Sequence, residues 1–142
     1  MKGYLLVEEG GTRYGLRLED VRQVFDLESV HPAPGGHPAV VGLVRVGGRL
    51  MPLVHLSALL EGIDAPEGHG ATGVVTRCGD QHVVLAVHDA DTVVRDAPEP
   101  APDGWELPWA GAVARREDAL IPVLDMDFLA ERLMSVNPGG GQ

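Results

Sequence analysis

Two stretches of this 142-residue chain, about 70 residues apart, follow one pattern: a small-residue approach, a tight turn, then proline and an apolar run into a short helix. The first runs from Val41-Gly42-Leu43 through Gly47-Gly48 to Pro52-Leu53-Val54-His55-Leu56. The second runs from Ala110-Gly111-Ala112 through Glu117-Asp118 to Pro122-Val123-Leu124-Asp125-Met126. On this alignment Pro52 answers Pro122 and Gly42 answers Gly111, and upstream Arg13 to Val21 lines up with His82 to Ala90. One long internal period means two similar supersecondary units, since a solenoid stacks at least three. Units of about 60 to 70 residues bury too little surface to stand alone, so the two copies are expected to share a core.

The local patterns are mostly those of strands. Tyr4 to Glu8 is apolar and β-prone, Glu9-Gly10-Gly11-Thr12 is a turn, and Arg13 to Leu18 alternates with Tyr14, Leu16 and Leu18 on one face, which predicts a hairpin. Val21, Val24 and Phe25 fit one helical turn or a strand entered through a turn. Pro32 to Pro38 is a crossing loop, because its prolines lack donors and its glycines are too permissive for a regular element. Val40 to Val46 and Arg49 to Leu56 form a second hairpin, with Pro52 implying an edge, a bulge or a strand end. Ser57 to Leu60 reads as a helical turn, and Ile63 to Ala71 as the link between copies.

In the second copy, Gly73 to Arg77 and Gln81 to Val87 flank a turn at Cys78-Gly79-Asp80, and Asp91 to Arg95 is a further strand. Four prolines loop between Asp96 and Pro108, where Trp105 is expected to pin the chain. A last hairpin spans Trp109 to Leu124, followed by an amphipathic helix over Phe128 to Met134. The expectation is a mainly all-β fold: two similar five-stranded β-barrel subdomains side by side, with short helices including a C-terminal one. They form one domain over residues 1–142, with subdomain one at about 1–65, subdomain two at about 66–134 and a flexible tail at 135–142.

Composition narrows function by exclusion. The net charge of −10 and a single lysine, Lys2, argue against nucleic-acid binding, which needs clustered cations. No apolar run approaches the roughly 20 residues that span a bilayer, so no membrane insertion is expected. The lone Cys78 excludes an intramolecular disulfide and suits a reducing cytoplasm. The six histidines show no ligand spacing, and no metal or cofactor is expected. Asp125 and Asp127 read as caps of the last helix rather than as paired catalytic acids. No serine sits in a nucleophile elbow, and neither Gly10-Gly11-Thr12 nor Gly139-Gly140-Gly141 carries the lysine of a phosphate loop. With nucleophile, base and orienter all missing, the chain reads as a binding or scaffolding protein rather than an enzyme.

The order of these pieces resembles the CheW-like domain family, adaptors that couple chemoreceptors to the histidine kinase CheA in bacterial chemosensory arrays. The resemblance covers roughly residues 3–133. It is carried by Tyr4 to Val7, Tyr14-Gly15-Leu16, Val21-Arg22-Gln23-Val24, the crossing to Pro38, Gly42 through Gly48 to Pro52-Leu53-Val54-His55-Leu56, and Gly111 to Asp125-Met126-Asp127. It implies two five-stranded barrels side by side and no enzymatic activity. It also implies a first barrel that offers an edge and hairpin around Val21, Gln23, Gly42, Arg45 and Gly47 to the regulatory domain of a CheA-type kinase or to the cytoplasmic tip of a chemoreceptor. The isolated chain is expected to be a monomer.

Several positions depart from the family pattern. The usual Asn-Leu-Arg-Gly stands as Arg45-Val46-Gly47-Gly48, and the usual Val-x-Glu-Val as Val21-Arg22-Gln23-Val24. His55 and His88 replace expected aspartates, and Val84 an expected glycine. Loss of both an arginine at 47 and a glutamate at 23 is what joint removal of a facing charge pair looks like, because losing one partner alone strands a charge. Two other readings stand beside the adaptor: a divergent member that has lost receptor coupling and scaffolds another partner, and a small-molecule-binding β-barrel.

Overall fold

The computed structural model describes residues 2–33 and 36–134; the expected tail at 135–142 lies outside the described residues. In the first copy, β1 (Tyr4–Glu9) and β2 (Thr12–Arg17) form a hairpin, and a 3-10 turn at Leu18–Asp20 leads into β3 (Val21–Asp26). β4 (Val40–Val46) and β5 (Arg49–His55) form the next hairpin, followed by α1 (Leu56–Glu61). The second copy repeats this with β6 (Thr72–Cys78), β7 (Gln81–Val87), β8 (Asp89–Val94), a two-residue β9 (Glu99–Pro100), β10 (Ala112–Arg116), β11 (Ala119–Val123) and α2 (Met126–Met134). The ambiguous stretch at Val21 is therefore a strand, and α2 begins two residues before its apolar stripe.

The copies do not each make their own sheet. A six-stranded sheet runs β8-β1-β2-β11-β10-β9 and a five-stranded sheet runs β3-β6-β7-β5-β4. Each sheet takes the first hairpin of one copy and the third strand and second hairpin of the other. A subdomain boundary near residue 65 thus falls between α1 and β6 in sequence but separates neither sheet. The reason is physical: a lone hairpin has two open edges and is marginal in water. Exchange closes those edges, through β1 with β8 and β2 with β11 in one sheet, and through β6 with β3 and β7 with β5 in the other.

Side-chain alternation then builds three clusters. Tyr4 and Leu6 of β1 join Val94, Ala112, Ala114, Ile121 and Val123 inside the six-stranded sheet. Val84 and Ala86 of β7 join Val44, Leu53 and Val75 inside the five-stranded one. The other faces of the same strands, Leu5 and Val7, Leu85 and Val87, meet between the sheets together with α1 and α2. β1 and β7 are buried on both faces, which is why they read as unbroken apolar runs. This central cluster is the shared core that two small copies require.

Strands from opposite ends of a sheet, such as β8 and β10, contribute to one inner cluster, so each sheet curls over its own interior. Among the described residues no ladder joins the end strands. In the five-stranded sheet a single antiparallel bridge, His31 with Leu43, reaches β4 from the chain beyond β3. Pro52 and Pro122 each lie one residue before a parallel pairing begins, at Leu53 with Val84 and Val123 with Gly15, so neither missing N–H is needed there.

Polar contacts tie the layers. Arg77 of β6 donates to buried Asp20 after β2, at 3.0 Å, and to Asp127 of α2, also at 3.0 Å. These acids raise the already high pKa of its guanidinium, the hydrogen bond to Asp127 being the largest single cause. Asp125 Oδ1 accepts from the N–H groups of Asp127 and Phe128, both at 3.1 Å, so it caps α2 as expected. Trp105 Nε1 donates to the Ala110 carbonyl at 3.0 Å and pins the proline-rich loop.

Candidate docking face

β3 and β4 are the two end strands of the five-stranded sheet; they carry Val21, Gln23, Gly42 and Arg45 of the residues expected at a docking face, and Gly47 follows in the turn after β4. Only part of that set faces outward. Gln23 is exposed beside a register shift in which Val21 pairs with Thr76 and Gln23 with Val75, leaving Arg22 as the extra residue. Val24 next to it is 43% exposed, a large apolar side chain on the sheet edge. Val21 is only half-buried and packs against the central cluster, so it supports the face from below.

Gly42 is buried and is not a surface. A Cβ there would lie 2.5 Å from Val30 Cγ1 and 2.7 Å from the His31 carbonyl oxygen, so glycine admits this chain's own crossing segment rather than a partner. Its apparent equivalent, Gly111, has open space at the same test, and the register explains why. Leu43 pairs with Pro52 while Val113 pairs with Pro122, which makes Ala112 and not Gly111 the counterpart of Gly42.

Gly47 and Gly48 have φ of +57° and +82°, the two left-handed residues of a type I′ hairpin turn. A Cβ at Gly47 would meet nothing within 4 Å. The turn geometry is sufficient reason for glycine at 47. Arg45 is exposed, and its guanidinium reaches one acceptor, the Gly48 carbonyl of its own hairpin, at 3.4 Å.

Beside Arg45 lies a feature that periodicity does not reveal. A cleft of about 410 Å³ opens between β4 and the chain leaving β3, lined by Phe25, Asp26, Glu28, His31, Val44 and Arg45. A second unforeseen cluster unites two of the family departures. Buried Glu9 has His88 Nδ1 at 3.1 Å and His55 Nε2 at 3.6 Å, while His55 Nδ1 accepts the Ala58 N–H at 3.3 Å and caps α1. Single-residue comparison with a family shows each histidine alone and not their meeting at Glu9.

No group of three metal-ligating side chains is found among the described residues. Burial pushes the Cys78 thiol up to about 11, so the one cysteine is not a thiolate nucleophile at neutral pH. No helix among the described residues is long and apolar enough to cross a membrane. Two interleaved sheets with exposed strand edges, a tight hairpin and an adjoining cleft thus make up this face of the molecule.

That arrangement has a solved counterpart. The chain is similar to the scaffolding protein TtCheW from Thermoanaerobacter tengcongensis, with a TM-score of 0.76 and 21% sequence identity over 90% of this chain and 91% of that one. Among curated proteins none matches the chain. The CheW-like domain pattern matches residues 3–134, and the chain belongs to the CheW-like domain family.

Proposed function

We propose that this protein is a non-enzymatic adaptor of a chemosensory assembly, working in the cytoplasm and joining the regulatory domain of a CheA-type histidine kinase to the tip of a chemoreceptor through surface contacts. The observation that carries this reading is the CheW-like domain match across residues 3–134, nearly the entire described chain. The structural likeness to a scaffolding protein accords with it. Interior clusters filled by Leu, Val, Ile and Ala side chains disfavour the ligand-binding barrel, whose function needs an internal cavity.

The contacts are assigned to the exposed part of the expected set, Gln23, Arg45 and the Gly47 turn, with Val24 and Leu50 as the apolar neighbours. Val21 and Gly42 shape that face from within. Arginine is among the side chains enriched at interface anchors, and the exposed Val24 and Leu50 add apolar area beside it. Titration calorimetry of the purified chain against the kinase regulatory domain and, separately, a receptor signalling tip from the same organism tests the proposal. Binding to both is the expected result. Binding to the kinase alone would identify a divergent adaptor that has given up receptor coupling, and binding to neither would overturn the reading.

A further inference from the structure

The internal duplication provides a template for what Arg45 lacks. Through the paired prolines, Arg45 of β4 and Arg115 of β10 hold the same place: Arg45 pairs with Leu50 and Arg115 with Leu120, and both leucines are exposed, at 50% and 39%. The strand-like chain that crosses each edge also corresponds, because His31 bridges Leu43 where Glu99 pairs with Val113. In the second copy the arginine is satisfied internally. Arg115 Nε and Nη2 donate to the two Glu99 carboxylate oxygens at 3.3 and 3.4 Å, a two-pronged pair.

In the first copy His31 occupies the place of Glu99. The acids nearest in the cleft, Asp26 and Glu28, stand within its lining, yet among the described residues no carboxylate comes within ion-pair distance of Arg45. A guanidinium, an exposed leucine directly across the strand pair and an open cleft thus coincide on one edge.

We propose that a carboxylate from a partner protein takes at Arg45 the place that Glu99 takes at Arg115. The occupant is a mixed-charge surface segment. It offers an Asp or Glu to Arg45, an apolar side chain over Leu50 and Phe25, and a Lys or Arg toward Asp26 and Glu28 on the facing wall. A uniformly acidic segment is excluded by those two carboxylates and by the net charge of −10. This inference rests on the adaptor reading and names the chemistry of its contact.

The same calorimetry, carried out with Arg45→Glu, Arg45→Lys, the pair Asp26→Lys with Glu28→Lys, and Arg115→Glu, tests it. Arg45→Glu should weaken binding to the kinase regulatory domain or the receptor tip by about tenfold or more, and Arg45→Lys by less, because lysine keeps the charge and loses only the two-pronged contact. Reversing Asp26 and Glu28 should weaken binding of the same partner, and the wild-type affinity should fall as salt rises. Arg115→Glu, which breaks an exposed pair in the other sheet, should leave both affinities within about twofold.

Each variant alters exposed side chains, so an unchanged melting temperature certifies its fold. Wild-type binding that Arg45→Glu leaves unchanged would overturn the inference while preserving the adaptor reading. An equal loss from Arg115→Glu would also overturn it, since the effect would then follow overall charge. A wild-type chain that binds neither partner would overturn both.

Discussion

The two copies solve the same corner in opposite chemical terms. In one, β1 ends at Glu9 and α1 is capped by His55; in the other, β6 ends at Cys78 and α2 is capped by Asp125. The end-of-strand residues are both almost fully buried, Glu9 at 3% and Cys78 at 4% exposed. Capping by His55 requires its Nδ1 to be without a proton, which leaves Nε2–H directed at Glu9. Capping by Asp125 uses a carboxylate where the first copy uses an imidazole, and the strand end there carries a thiol whose Sγ lies 3.8 Å from the Met126 carbonyl. The identities of cap and strand end are therefore coupled: an acid at one needs a neutral or donating group at the other.

The strongest test of that coupling exchanges the chemistry of one corner for that of the other. His55→Asp alone keeps an acceptor for the Ala58 N–H but sets a second carboxyl group against buried Glu9, and it should cost about 3 kcal/mol. Adding Glu9→Cys reproduces the second corner and should recover all but about 1 kcal/mol, a residue assigned to the vacated volume and to His88 losing its partner. Urea midpoints of the two single variants and the double complete the cycle. A double variant whose loss equals the sum of the singles would break the comparison and leave two unrelated substitutions.

A smaller effect separates the two glycines that sequence alignment makes equals. Gly42→Ala drives a methyl group into Val30 and the His31 carbonyl and should destabilise by about 2 kcal/mol. Gly111→Ala meets nothing and should change stability by less than about 0.5 kcal/mol. Thermal melts of the two variants decide it. Equal losses would return Gly111 to the role of a structural twin and undo the one-residue shift in register.

Much of this architecture was legible because apolar periodicity and turn residues report on neighbours along the chain. The hairpins at Gly10-Gly11 and Gly47-Gly48, the cap at Asp125 and the Trp105 anchor all depend on contacts within a few residues, and each was read directly. The exchange of strands between sheets was not, since an open edge on β2 or β7 says that a partner is needed and not which copy supplies it. The docking face divides in the same way. Gln23, Arg45 and Gly47 lie on the surface as their polarity or turn chemistry suggests. The segment that fills the space over Gly42, Val30-His31, arrives from an irregular loop with no pattern to follow. The Glu9 cluster joins residues 46 and 79 positions apart in the chain, a distance at which no periodicity speaks.

The least of the expected effects concerns the two tight hairpins that close β4–β5 and β10–β11. The first uses Gly47 at φ +57°, whereas the second holds Glu117 at φ +55°, the one residue other than glycine with positive φ among those described. A side chain there brings Cβ toward the carbonyl that follows, a cost of about 1 kcal/mol that glycine avoids. Glycine also adds freedom to the unfolded chain, which offsets part of the gain. Glu117→Gly should therefore stabilise by about 0.5 kcal/mol, and Gly47→Glu should destabilise by a similar or larger amount because Gly48 beside it is also left-handed. If Glu117→Gly instead lowers the melting temperature, the Glu117 side chain contributes something that backbone strain does not capture.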